Sequence, residues 1–113
     1  MATEVKRGDL WTVASGGGYA AKPRPAVIVQ DDSFSETDSI AICPLTTDSG
    51  SMPLFRIAVD PSGDNGLTQV SRVMADKLTT VPKDKLGRRI GRLDDATMLR
   101  LNRAITVFLG IAG

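Results

Sequence analysis

The sequence predicts an α+β domain that is mainly β, a strongly bent antiparallel sheet followed by one C-terminal helix. Short apolar runs recur between clusters of Gly, Pro, Asp and Ser from Leu10 to Val81, which is how strands and turns alternate. The apolar spacing then changes to three and four residues at Met98, Leu101, Ile105 and Phe108, one face of a helix. The chain has 113 residues, room for one core and not two, so 1–113 is read as a single domain. A sheet confined to so short a chain tends to curl into a barrel.

Each element has its own justification. Leu10 to Val13 alternates and reads as the first strand. Gly16, Gly17 and Gly18 form a flexible loop closed by Pro23 and Pro25. Ala26 to Val29 is an unbroken apolar run, expected as a strand buried on both faces. Asp31 to Asp38 is a polar loop around Phe34, and Ser39 to Leu45 is the third strand, where Pro44 points to a bulge or an edge. Phe55 to Val59 and Thr68 to Met74 flank the turn-rich stretch Asp60 to Gly66 and are expected to pair as a hairpin. Lys77 to Val81 carries the sheet on to Pro82, and a half-turn is expected around Lys83 to Leu86. Asp94 reads as the helix N-cap, Leu93 as a staple onto Met98, and Gly110 as the C′ residue.

Composition narrows the chemistry. There is no histidine and one cysteine. Ser-His-Asp and Cys-His nucleophiles are therefore excluded, as are histidine acid–base pairs and an ordinary zinc site. Cys43 lies in the run Ile40 to Cys43 and is expected to be an inert buried thiol. Gly16 to Gly18 matches no phosphate-loop or dinucleotide pattern, and no cofactor is expected. The N-terminus has no apolar signal core, and no run nears the ~20 residues that span a bilayer. A reducing cytoplasm is the expected compartment. The five aromatic residues, Trp11, Tyr19, Phe34, Phe55 and Phe108, are expected mostly in the core.

Charge is unevenly placed although the net is +1. Residues 31 to 71 hold seven acidic residues and one basic, whereas 72 to 92 hold seven basic and two acidic. The second block is either a phosphate-binding surface or a solvated basic loop.

Four motifs remain. Arg7-Gly8-Asp9 leads into the first strand and is compatible with a tight turn. In Lys22-Pro23-Arg24-Pro25 two prolines stiffen the backbone around Arg24. That suits a guanidinium meant to clamp a phosphate, although pairing to a carboxylate would also explain it. Pro44-Leu45-Thr46-Thr47 ends a strand in two hydroxyls, and Gln69-Val70 precedes the basic block, whose end reads Ile90-Gly91-Arg92-Leu93.

In this order, and with Leu109-Gly110 at the helix end, these motifs resemble the MazF/PemK/Kid toxin family across nearly the whole chain. The resemblance implies an SH3-like barrel with a C-terminal helix, acting as a homodimer. It implies metal-independent cutting of single-stranded RNA, restrained by a MazE-like antitoxin. The family's catalytic arginine falls on Arg24 and its hydroxyl partner on Thr46, with Thr47 a second candidate. Tyr19 and Lys22, in the first loop, are expected to stack on a base and bind a phosphate, and Gln69 and Lys77 to contact RNA. No catalytic role is carried onto the stretch from Gln69 to Asp76. Two departures stand out. Ser15 to Lys22 lacks the Gly-Ser-Glu of many relatives, and the histidine that some relatives use is missing. A CcdB-like, non-enzymatic toxin of the same barrel acting on a protein such as gyrase is the alternative, and an inactive binder of RNA or protein is a third.

Overall fold

Strand β1 (Asp9–Val13) is followed by β2 (Arg24–Ile28), β3 (Ser39–Thr46), β4 (Arg56–Val59), β5 (Ser71–Met74), β6 (Thr79–Pro82), β7 (Leu86–Arg92) and the helix α1 (Asp95–Phe108). Single 3-10 turns lie at Asp32–Phe34, Ala75–Lys77 and Lys83–Lys85. The structure, a computed structural model, describes residues 4–14, 22–50 and 54–111. All ladders are antiparallel, in the order β4-β5-β3-β2-β1-β7, with β6 also paired to β3.

β3 is the pivot. Along one side it pairs with β2; along the other it pairs first with β6, at Ser39 to Ile42, and then with β5, at Leu45 and Thr46. Pro44 is therefore in a central strand and not at an outer edge. It stands after the β6 ladder has ended at Ile42 and before the β5 ladder begins at Leu45, a break that tolerates a residue without an N–H.

Alternation along the strands feeds two cores, one on each face of the sheet. Leu10, Val27, Cys43, Leu45, Ile57, Val59 and Val73 pack with Leu93, Met98, Leu101 and Ala104 beneath the helix. Trp11, Val13, Ala26, Ile28, Ile40 and Ile42 form the other core. The run Ala26-Val27-Ile28 thus serves both, as its unbroken apolarity predicts. The aromatic residues depart from expectation. Trp11 is buried, but Phe34 and Phe108 are largely exposed, and Phe55 meets Phe108 edge to face at 5.1 Å. Tyr19 lies outside the described residues. Aliphatic side chains fill the first core without a ring, and Trp11 is the one described aromatic residue in the second.

The basic stretch from Leu86 to Arg92 is neither a loop nor a simple lead-in to the helix, but the edge strand β7, paired with β1 through two register shifts. Its glycines answer close approaches. A Cβ on Gly91 would strike the Asn65 carbonyl, and one on Gly87 would strike the Thr12 hydroxyl. Arg92 N–H donates to the Asp64 carbonyl at 2.8 Å, so the sheet curls until the β4–β5 connection reaches β7.

The helix ends as expected. The Asp94 carboxylate accepts from Thr97 N–H at 2.7 Å, and Leu93 and Met98 share the first core. At the C-terminus Gly110 has φ +75°. Its N–H donates to Val107, while Ile111 N–H donates to Thr106, the paired bonds that a left-handed C′ residue allows.

Arg7-Gly8-Asp9 is a structural node. Asp9 N–H donates to Lys6, closing the turn. The Asp9 carboxylate is buried and accepts from Lys6 N–H at 3.2 Å, with Arg89 at 3.3 Å and Arg92 at 3.2 Å. Arg7 donates to the Val29 carbonyl at 2.9 Å and to Asn102 of the helix at 2.6 Å.

Candidate active site

Two residues that the motifs single out meet by register. β2 and β3 pair Ala26 with Pro44 and Val27 with Cys43, and continuing that ladder by two residues sets Arg24 opposite Thr46. Directly opposed side chains on one face have Cβ atoms about 5 Å apart. The face is the same for both. Arg24 shares the parity of Ala26 and Ile28, and Thr46 that of Ile42, all on the side of the second core.

Local structure prepares each group. Arg24 begins β2, exposed, with its backbone paired to Val13 of β1. Among the described residues its side chain has no hydrogen-bond or ion-pair partner, which disfavours a carboxylate counter-ion as the reason for its placement. The Thr46 hydroxyl oxygen accepts from Asp48 N–H at 3.1 Å. A hydroxyl engaged in this way keeps its O–H free to donate. The arrangement offers a planar cation and an oriented O–H donor to one oxyanion, a combination suited to a phosphate ester.

The other expected site residues are distributed differently. Lys22 and Thr47 are exposed, just before β2 and just after β3, at the same end of the sheet. Gln69 is exposed three residues before Arg72, and its carbonyl accepts from Ser71. Lys77 ends the turn that packs against β3 between β5 and β6, further from Thr46 along the strand. The basic block does not form one surface. Lys83 donates to the Ser35 carbonyl, and Arg89 and Arg92 are engaged by Asp9.

Two features went unassigned in the sequence. Arg72 pairs with Thr46 on one side and Ala58 on the other. It alternates with Val73 of the first core, so it shares the Thr46 face. Alternation in Ser71-Arg72-Val73-Met74 was the available signal. Arg56 makes a bidentate contact to Asp76, at 3.0 and 3.1 Å, with both side chains largely buried. Hydrogen bonding from Arg56 holds the Asp76 carboxyl below its ordinary range against the opposing effect of desolvation. Elsewhere, burial pushes the Cys43 thiol up to about 12, which leaves it protonated and inert. Among the described residues no three His, Cys, Asp or Glu side chains gather as a metal-binding group. No helix among them is long and apolar enough to cross a membrane.

Such a face, set on a curled antiparallel sheet, has the donor types that a phosphate ester requires. Comparison with known proteins makes the class specific. Residues 6–109 match the family model of PemK-like, MazF-like toxins of type II toxin–antitoxin systems, and the chain belongs to that family. It is 49% identical over 109 residues to a probable endoribonuclease MazF of Mycolicibacterium smegmatis, covering 96% of this chain and 100% of that protein. A solved mycobacterial endoribonuclease in complex with its cognate antitoxin is 30% identical, with a TM-score of 0.79 over 96% of this chain and 97% of that one. A MazE–MazF structure from Deinococcus radiodurans has a TM-score of 0.81 over 97% of this chain and 100% of that one; at 17% identity it supports the fold alone. These relatives favour the endoribonuclease over the CcdB-like alternative.

Proposed function

We propose that the protein is an endoribonuclease toxin that cuts single-stranded RNA with Arg24 and Thr46, without a metal ion. What supports this most is the β2–β3 register, which pairs Ala26 with Pro44 and, carried two residues further, sets Arg24 opposite Thr46 on one face, with the guanidinium unpartnered among the described residues. The substrate supplies the nucleophile. A ribose 2′-oxygen attacks the adjacent phosphorus, its proton passes to solvent, and the bond to the 5′-oxygen breaks. The products are a 2′,3′-cyclic phosphate and a 5′-hydroxyl. Arg24 and Thr46 stabilise the charge that grows on the phosphorane oxygens. Arginine stays protonated, so Arg24 acts as an electrostatic stabiliser and not as base, and the departing 5′-oxygen takes its proton from solvent.

Residues 1–113 act as one domain in the cytoplasm. Exposed apolar side chains at the helix end, Val107, Leu109 and Ile111, support pairing of two copies. An acidic, extended antitoxin segment competes with RNA for the unpaired arginines, and its binding weakens with salt.

The test is incubation with total RNA in excess EDTA, followed by mapping of new 5′-hydroxyl ends. Discrete ends are expected. Activity that is lost to the chelator and fully restored by Mg²⁺ or Mn²⁺ would overturn the mechanism.

A further inference from the structure

We infer that Arg72 is a second phosphate-binding residue, which grips the RNA backbone beside the group being cut; this rests on the reading of Arg24 and Thr46 above. Thr46 pairs directly with Arg72, and the β2–β3 register, carried two residues beyond Ala26 and Pro44, sets Arg24 on the other side of Thr46 in the same row and on the same face. Two strand spacings put the outer backbones about 10 Å apart, within the joint reach of two long side chains around one stretch of backbone.

Arg72 differs from the arginines that hold the fold. Arg7, Arg56, Arg89 and Arg92 each have an acceptor. Arg72 has none among the described residues, although it is half-buried. Its ladder partners, Thr46 and Ala58, carry no charge. Asp76, which follows in the next turn, is already held by both donors of Arg56. A guanidinium that has lost part of its hydration without gaining an acceptor is destabilising, unless a ligand provides the anion. A backbone phosphate does so and suits the planar donor fork.

The experiment is binding of a short single-stranded RNA spanning a mapped cut, made uncleavable by a 2′-O-methyl group, over a salt series. One lost phosphate contact lowers the slope of log affinity against log salt by about 0.7 for a single strand. Arg72→Gln is expected to show that drop and a roughly tenfold or greater loss of affinity, with a thermal midpoint of the free protein that is no lower than wild type, while Arg72→Lys keeps the slope. Neutral methylphosphonate at a single position, next to the cut, should abolish the difference between wild type and Arg72→Gln. A wild-type slope in a folded Arg72→Gln protein overturns the inference. The site itself is tested separately on unmodified RNA. Loss of cutting in Arg24→Ala keeps that reading whatever Arg72 does, and wild-type cutting by Arg24→Ala removes the ground for both.

Discussion

Arginines occur in two settings in this protein. Around Asp9, Arg89 and Arg92 converge on a buried carboxylate, and the neighbouring Arg7 is bonded to a carbonyl and to Asn102. On the other side, Arg24 and Arg72 flank Thr46 with no partner among the described residues. The first group joins β1, β7 and the helix. The second leaves its donors available. The difference teaches that an arginine's role is read from what already satisfies it, not from how conspicuous its motif is. Arg7-Gly8-Asp9 is the more conspicuous signature and is structural.

Substitutions should separate the two groups cleanly. The largest effect belongs to Arg24. Arg24→Ala is expected to lower the rate of RNA cutting by about 10²–10³ with little change in melting temperature, and Arg24→Lys by nearly as much, because a point charge does not replace a planar fork. Single-turnover kinetics on a short RNA measures it, and near-normal rates in both variants would collapse the contrast. Asp9→Ala should show the reverse pattern. Stability falls by about 1–3 kcal/mol, read from urea unfolding, while the folded enzyme cuts normally. Thr46→Val comes next, with a turnover loss smaller than that of Arg24→Ala and a stability cost under about 1.5 kcal/mol for the bond to Asp48.

The subtlest prediction concerns acid. The folded Asp76 carboxyl lies below 3.8 because Arg56 donates to it. A depressed carboxyl pKa favours folding above the unfolded value of 3.8, and that contribution is lost as pH falls through the lower folded value. The stability gap between wild type and Asp76→Asn should therefore be widest at neutral pH and narrow as pH drops below 3.8. A gap constant across that range would mean the Arg56 pair contributes nothing through ionisation.

Local signals were legible in the sequence and pairing was not. β1, β2 and β3 follow from apolar runs, and the helix from its spacing, its Asp94 cap and Gly110. Arg24 and Thr46 stood out as types in a stiffened or strand-end setting. Their opposition depends on the β2–β3 register, and the place of Arg72 depends on β5 choosing β3. Neither is written in any short stretch. β7 was hidden for a different reason. Gly87, Gly91 and three arginines lower strand propensity, and the glycines are there to avoid collisions with residues far along the chain. The basic block likewise stayed open between a phosphate surface and a solvated loop, because net charge does not show which cations are already engaged.

The pairing of β1 with β7 has a consequence for synthesis. Strand β1 is completed by β7, the last strand in the described order. Arg92 and Asp9 are 83 positions apart, so a chain still emerging from the ribosome offers the outer edge of β1 without its cover and Asp9 without its cations. Unpaired edges are where partly made chains join one another. Contacts of such long separation also form slowly. The sheet that carries Arg24 is therefore complete only once β7 has been made, and a product truncated before Leu86 lacks the strand that finishes it.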